Sequence, residues 1–455
     1  MSAVNRQMEL KQLNTLYEAR GNHIVLLYGK MGSEKEAFLR DFTKDKKTIY
    51  YRAANASADR QRQLLAKTLE DTYAIRLAND SYEEMFNRVR SGDASKLVLV
   101  FDEFQNIAKR DELFLKELLK LKANKYYPGP MLIVLATTSI VFAENGLKEL
   151  DASFETKIEQ KIKLSNLTFL DVVRKFPSYT TSQSVEVYGV IGGVTEYVNR
   201  WNPSHSVKEN ICEHILSEDG FLFGEAERII LSELRELSVY DTILSSLAAG
   251  NHKLNDLYLD TGFSRAKISV YLKNLMEFDI VEKIVSFDTG GWENAQKGIY
   301  KISDTFVHFW FRFVYPHQSE LYLLKPEKFY EKYIEKELEN YLNDCFVKVC
   351  REYIELLNQV KQLPISIHRI GTWIGKQGNI DVVAQDKARN GIVALCNWDK
   401  PELTTAMCDS LLKNMKLAKV NAQYIYLFSA KRFQPALEER VKQDAHFVLI
   451  DMNEL

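Results

Sequence analysis

The stretch that decides the fold is residues 26–38, which read LLYGKMGSEKEAF. It has the pattern of a buried strand, a turn and the start of a helix. A phosphate-binding loop reads GxxxxGK followed by Ser or Thr: backbone N–H groups surround the phosphates, Lys reaches them, and the hydroxyl holds Mg²⁺. Gly29 and Lys35 keep this spacing. The stretch therefore predicts a nucleotide-binding loop that includes Gly29, Gly32, Lys35 and Glu36.

Two positions of this pattern carry acids. Glu34 replaces the last Gly, which adds a side chain and a negative charge where the backbone should approach an anion. Glu36 replaces the magnesium hydroxyl at the start of the helix, where its carboxylate competes with phosphate for the positive end of the helix dipole. Both changes predict weakened nucleotide binding. The alternative is an ordinary strand, turn and helix with Gly and Lys at this spacing by chance.

Two further apolar runs end in polar residues. Residues 96–103 read KLVLVFDE, and residues 131–138 read MLIVLATT. Such runs are typical of strands buried on both faces of a parallel sheet, and ligands bind at the carboxyl ends of these strands. Asp102 is the candidate magnesium ligand, Glu103 the candidate base that polarises a water, and Thr138 a candidate phosphate contact.

The order of motifs resembles the archaeal-type ATPases, in the P-loop class that includes AAA and STAND proteins, and in the branch with a C-terminal domain of unknown function. The resemblance covers nearly the whole chain. It rests on Asn5, Arg6, Glu9 and Leu10, the loop at 29–35, FDEF at 101–104, LSNLTFLDVV at 164–173, YGVIGGVTEYV at 188–198, YKISDTFVHFWFRFV at 300–314, and IGTWIGKQGNIDVVAQ at 370–385.

This resemblance implies an α/β fold: a P-loop NTPase parallel sheet with a helical lid, a winged helix domain and a C-terminal nuclease-like α/β domain. It implies ATP and Mg²⁺ as cofactors, with Asp102 and Glu103 as catalytic residues. In relatives, the positions of Asn5 and Arg6 precede the nucleotide pocket, so these two are candidates for adenine and ribose contacts.

Composition limits the class of protein. With 455 residues, two to four domains are expected. Lys plus Arg number 60 against 62 Asp plus Glu, a formal charge of −2, so any nucleic-acid contact must be local. The five cysteines have no CxxC spacing, and Cys345 and Cys350 are expected to be buried. The sequence has no apolar run long enough for a membrane helix, so we expect a cytoplasmic protein. It names no oligomer interface.

Changes of pattern predict four domains. Residues 1–163 alternate strands and helices, as a P-loop ATPase-like domain does. Residues 164–236 are helical and form a lid, whose Gly-Gly turn at 192–193 is interpreted as helix punctuation. Residues 237–320 form a winged helix-turn-helix, and residues 321–455 form a degenerate nuclease-like α/β domain.

The winged helix is predicted from helices near 239–249, 254–260 and 264–278, followed by strands near 280–287 and 298–302. Ser264 caps the third helix, whose buried stripe is Ile268, Leu272, Leu275 and Met276. The candidate DNA-binding residues are Arg265, Lys267 and Lys273. Glu277, Asp279 and an acidic wing loop at 286–298 oppose DNA binding, so a protein partner stays open.

The last domain carries a second incomplete site. Residues 378–384 read GNIDVVA and residues 391–398 read GIVALCNW. A metal-dependent nuclease core needs Asp on one strand and Glu-x-Lys on the next. Asp381 is present, but Leu395 and Asn397 stand where relatives carry Glu and Lys, and Val347 stands where they carry another Glu. We therefore expect no nuclease activity.

The sequence predicts an ATP-binding member of this ATPase family with weak or absent hydrolysis. Two alternatives remain. The protein is a nucleotide-independent scaffold that keeps only the fold, or it is a DNA-binding regulator that acts through the winged helix.

Overall fold

The computed structural model describes residues 6–89, 95–126, 129–234, 236–287 and 298–455. The chain divides into two compact units, one ending at Asn166 and one beginning at Leu167. The predicted subdivision of residues 164–455 into three domains stays a prediction, since all three lie almost wholly in the second unit.

The first unit is built on a parallel sheet of five strands in the order β2-β3-β4-β1-β5. The strands are β1 (His23–Tyr28), β2 (Thr48–Arg52), β3 (Leu97–Asp102), β4 (Met131–Thr137) and β5 (Gln160–Lys163). Every residue of β3 and β4 is buried. These two strands therefore confirm the predicted parallel sheet with both faces covered.

Alternate residues of these strands enter two separate cores, because successive side chains of a strand point to opposite faces. Leu99, Phe101 and Ile133 belong to one core, whereas Val100 and Val134 belong to the other.

The helices of the first unit cover both faces. They are α1 (Gln7–Glu18), α2 (Lys35–Thr43), α3 (Ala58–Tyr73), α4 (Tyr82–Arg88), α5 (Gln105–Ala108), α6 (Glu112–Lys122), α7 (Leu147–Leu150) and α8 (Ala152–Glu155), with a π-helical turn at Phe142–Gly146. The helices α3, α4 and α6 pack in the core that contains Phe101, and α1 and α2 pack in the core that contains Val100. Because the strands are parallel, the carboxyl ends of β1, β2, β3 and β4 lie at one edge of the sheet.

The second unit begins with a helical segment. Its helices are α9 (Phe169–Lys175), α10 (Thr181–Ile191), α11 (Thr195–Arg200), α12 (Val207–Ile211) and α13 (Glu225–Glu233), with a π-helical turn at Cys212–Leu216. Gly192 ends α10 with a φ of 62°. At Gly193 a Cβ would lie 1.9 Å from the carbonyl oxygen of Leu167, so only glycine fits. The Gly-Gly turn therefore has a steric role in this segment.

Three helices and a hairpin follow, in the order expected from the sequence. They are α14 (Leu237–Ala248), α15 (Leu254–Thr261), α16 (Arg265–Glu277) and the antiparallel strands β6 (Val281–Val285) and β7 (Gly298–Ile302). The Ser264 side chain accepts a hydrogen bond from Lys267 N and caps α16. Ile268, Leu272 and Leu275 are buried as predicted, whereas Met276 is only half-buried.

The rest of the second unit is a mixed sheet in the order β14-β12-β10-β9-β8, packed against α20. Its strands are β8 (Arg369–Ile374), β9 (Asn379–Gln385), β10 (Gly391–Asn397), β12 (Ala422–Ser429) and β14 (Phe447–Asp451), with β11 (Glu402–Leu403) and β13 (Arg432–Phe433) as a separate pair. Its helices are α17 (Thr305–Phe309), α18 (Gln318–Leu321), α19 (Pro326–Tyr333), α20 (Leu338–Gln359), α21 (Thr405–Ala418) and α22 (Pro435–Lys442). Short helical turns occupy Trp310–Val314, Tyr315–His317 and Met452–Glu454. Cys350 is buried as expected, but Cys345 is only half-buried.

Candidate functional site

The loop after β1 has the backbone of a tight, glycine-dependent turn. A Cβ on Gly29 would lie 2.8 Å from Ser33 Oγ and 2.9 Å from the carbonyl oxygen of Leu164, so a larger residue does not fit. Gly32 adopts a φ of 82°, which glycine tolerates without strain. The loop then enters α2 at Lys35.

Glu34 lies in the left-handed region, with φ 56° and ψ 35°. This conformation brings Cβ close to the following carbonyl oxygen and costs a residue other than glycine about 1–2 kcal/mol. The chain thus keeps at position 34 the backbone that suits glycine while carrying glutamate. The side chain of Glu34 forms no cap for α2.

Lys35 lies between the two acids that follow β3. Its Nζ donates to Glu103 Oε1 at 3.0 Å and forms a closer ion pair with Asp102. The Lys35 side chain is 4% exposed and that of Asp102 is 0% exposed. Two segments far apart in the sequence therefore meet at one buried cluster, as the shared sheet edge predicts.

Asp102 has several hydrogen-bond donors besides Lys35. The Tyr50 hydroxyl, from the neighbouring β2, donates to Oδ2 at 2.7 Å, and the backbone N–H of Glu103 donates to Oδ1 at 3.0 Å. A buried carboxylate needs partners of this kind, and these contacts fix the position of the Asp102 side chain at the end of β3.

Glu103 is held by a second set of donors. Gln105 Nε2 donates to its Oε2 at 2.7 Å, and the hydroxyl of Thr138 donates to the same atom at 2.9 Å. Burial opposes ionisation, but the charge of Lys35 and these hydrogen bonds hold the pKa of Glu103 below its ordinary value. Glu103 is thus an anion at neutral pH, and the predicted phosphate contact, Thr138, bonds to it.

Glu36 lies in the first turn of α2 and pairs with Arg52, the last residue of β2. Both side chains are exposed, at 51% and 58% respectively. The sequence reasoning missed Arg52, Tyr50 and Gln105. A signal for Arg52 was present, because residues 48–52 read TIYYR, a strand that ends in a cation as the neighbouring strands end in acids and hydroxyls.

Chemically, the cluster offers two cations and three carboxylates at one sheet edge. Lys35 and Arg52 suit phosphate oxygens, and Asp102 suits a hard metal ion. Because Glu36, Asp102 and Glu103 outnumber the cations, the site repels a polyphosphate alone more than its complex with a divalent cation, which carries less negative charge.

Of the two candidates for adenine and ribose contacts, Arg6 lies within the described residues. Arg6 is 6% exposed, and its Nη1 lies 3.3 Å from Glu9 Oε1. Asn5 lies outside the described residues.

The three DNA-binding candidates all lie on exposed positions of α16. The Arg265 guanidinium stacks over the Tyr258 ring at 4.0 Å, Lys267 Nζ lies 4.4 Å from the Phe263 ring centre, and Lys273 pairs with Glu277 at 3.6 Å. Most of the acidic wing loop, at 288–297, lies outside the described residues. The three cations therefore share one helix but each has a local contact.

Asp381 on β9 lies beside β10, as predicted, and its Oδ2 accepts a hydrogen bond from Cys396 N at 2.8 Å. Burial raises the pKa of Asp381 to about 6, with a smaller contribution from Asp344, and the Cys396 hydrogen bond opposes this shift. Among the described residues, no group of three or more His, Cys, Asp and Glu side chains is placed to hold a metal ion.

Family comparisons identify two regions. Residues 4–200 match an ATPase domain found predominantly in Archaea, and residues 310–416 match a family of archaeal and bacterial proteins of unknown function. An uncharacterized protein of Methanocaldococcus jannaschii is 26% identical over 405 residues, which cover 87% of each chain.

Two solved structures are similar to this chain at low sequence identity. A Walker-type ATPase of Pyrococcus abyssi has a TM-score of 0.47 and 17% identity, over 68% of this chain and 96% of its own. The ORC2 protein of Aeropyrum pernix has a TM-score of 0.46 and 11% identity, over 70% of this chain and 95% of its own. Within the ranges described here, no helix is long and apolar enough to cross a bilayer.

The left-handed backbone at position 34 predicts that Glu34→Gly stabilises the protein by about 1 kcal/mol, because glycine removes the strain but gains more freedom in the unfolded chain. Urea denaturation measures the change. Glu34→Ala is the matched control, since it removes the charge but keeps Cβ, and we expect no comparable gain. An equal gain for both variants would show that charge, not backbone strain, is responsible.

Asp381→Asn is predicted to raise the free energy of unfolding more at pH 8 than at pH 5. The folded-state pKa is raised from 3.8 to about 6, so the folded protein holds this proton more tightly than the unfolded chain. The burial penalty therefore grows as the pH rises through this interval, and the amide removes it. Chemical denaturation of both proteins at the two pH values tests this; the same change at both values contradicts it.

Proposed function

We propose that this protein binds ATP as a magnesium complex and hydrolyses it weakly or not at all. The chain carries an ATPase domain of the type found predominantly in Archaea and a C-terminal domain of unknown function. The observation that supports this most is the burial of Lys35 between Asp102 and Glu103 at the carboxyl edge of the parallel sheet.

The residues at this edge fit the implied cofactors. Lys35 is the first residue of α2, where a helix N-terminus suits a phosphate group, and Asp102, its ion-pair partner, ends β3. Mg²⁺, when bound, supplies positive charge that offsets the carboxylates. Lys35 then exchanges a carboxylate partner for a phosphate partner, so that it stays paired in both states.

Weak turnover follows from how Glu103 is held. An acid that polarises a water needs an accessible oxygen within hydrogen-bond reach of that water. Lys35 contacts Oε1 of Glu103, and Gln105 and Thr138 contact Oε2, so both oxygens already have partners, and the lowered pKa makes Glu103 a weaker base toward an attacking water. Glu34 and Glu36 add negative charge next to the phosphate path. Each feature raises the barrier to hydrolysis.

Thermal unfolding with Mg²⁺ and millimolar ATP tests the proposal. We expect the melting temperature of the wild type to rise by several degrees, because ligand at 100 times its Kd adds about 2.7 kcal/mol. Lys35→Met alone leaves two buried carboxylates without their cation, which costs about 3–5 kcal/mol. The variant for comparison is therefore Lys35→Met with Asp102→Asn, in which the ATP-dependent rise is expected to disappear.

Lys44→Met is the matched control, because Lys44 is an exposed lysine at the end of the same helix. Its rise with ATP is expected to equal that of the wild type. If the wild-type melting temperature is unchanged by ATP, the nucleotide-independent scaffold is the better account.

A second candidate function is DNA binding by the module α14 to β7, which has the element order of a winged helix. The observation that favours it is the exposure of Arg265, Lys267 and Lys273 along α16. The contacts of Arg265 with Tyr258 and of Lys267 with Phe263 leave the charged groups at the surface, where phosphates are accessible.

Salt-dependent binding to duplex DNA tests this second candidate. We expect changing all three cations to Glu to abolish binding and the wild-type affinity to fall steeply with salt, since phosphate contacts release counterions. The control changes three exposed cations outside the module, Lys328, Lys336 and Arg351, in the same way. Binding that survives the α16 changes, or no binding by the wild type, rejects the assignment.

A further inference from the structure

Arg52 occupies a position that the loop motif does not explain. It ends β2 directly opposite Asp102, the last residue of β3, in the parallel pairing of the two strands. Side chains two residues apart on a strand point to the same face, and the Tyr50 hydroxyl reaches Asp102 from that face. The Arg52 side chain therefore lies beside the cluster that contains Lys35.

The partner of Arg52 is exchangeable. Its ion pair with Glu36 joins two side chains that are each more than half exposed. Such surface pairs contribute little to stability. A guanidinium forms stronger, two-pronged contacts with a phosphate group, which matches its planar fork of donors. A phosphate group in reach of Arg52 would therefore compete well with the Glu36 carboxylate.

The position of Arg52 at the end of β2 also indicates which phosphate of a bound nucleotide it would contact. Lys35, at the start of α2, reaches Asp102 on β3, so the end of a phosphate chain that contacts Lys35 lies over β3. β2 is the next strand, about 4.8 Å away, on the side remote from β1 and its loop. Arg52 is thus suited to the terminal phosphate of a triphosphate, a group that a diphosphate lacks.

We propose that Arg52 binds the terminal phosphate of a nucleoside triphosphate, which displaces Glu36 from the guanidinium, and so distinguishes triphosphate from diphosphate. This inference rests on the proposed function, since it concerns the same site. On this proposal Glu36 has a role that its place in the loop motif does not suggest, because its carboxylate holds the Arg52 guanidinium near the sheet edge.

Titration calorimetry with Mg²⁺ and either ATP or ADP tests the inference. For Arg52→Ala we expect at least about tenfold weaker binding of ATP, the usual size of a lost charged contact, and less than about twofold change for ADP. Arg52→Lys keeps the charge without the fork, so an intermediate loss for ATP alone is expected. Arg60→Ala, which removes an exposed arginine from α3, is the matched control and is expected to bind both nucleotides as the wild type does.

The outcomes separate the two proposals. If the wild type binds both nucleotides and the Arg52 variants lose affinity equally for ATP and ADP, or for neither, the role of Arg52 is wrong while nucleotide binding stands. If the wild type binds neither nucleotide, the proposed function fails and the inference fails with it. If Arg52→Ala no longer melts cooperatively, the comparison of ATP with ADP is decided by Arg52→Lys.

Discussion

The first unit depends on one buried interaction, the ammonium of Lys35 between the carboxylates of Asp102 and Glu103. A buried charge without a partner is costly, so each of these groups requires the others. The cluster joins the start of α2 to the end of β3, and Thr138 extends it to the segment after β4. The loop after β1 is therefore tied to the middle of the sheet by charge as well as by backbone.

This arrangement gives each cation at the sheet edge a carboxylate of its own. Lys35 has Asp102 and Glu103, and Arg52 has Glu36. When a magnesium nucleotide binds, its phosphates can replace the carboxylates as partners of the cations, and its metal can replace the cations as the partner of the acids. Each charge pair that binding breaks is therefore replaced by a new one. Glu36, an acid that departs from the loop motif, thus acts as an internal counter-ion.

The sequence predicts the sheet well where its strands are apolar on both faces, because short unbroken apolar runs are typical of buried parallel strands. The meeting of Lys35 with Asp102 also follows from the sequence, since parallel strands end at a common edge. Arg52 was missed because β2 is half-buried and its short pattern is ambiguous. The left-handed backbone of Glu34 and Glu103 was also missed, since neither residue type signals it.

The account is tested most directly by a crystal structure grown with Mg²⁺ and a saturating, non-hydrolysable ATP analogue. The measured quantity is the distance from Lys35 Nζ to the nearest phosphate oxygen. We predict a hydrogen bond of about 3 Å, with Asp102 turned from Lys35 toward the metal. An unchanged ion pair between Lys35 and Asp102, with no density for the analogue beside it, would contradict the account.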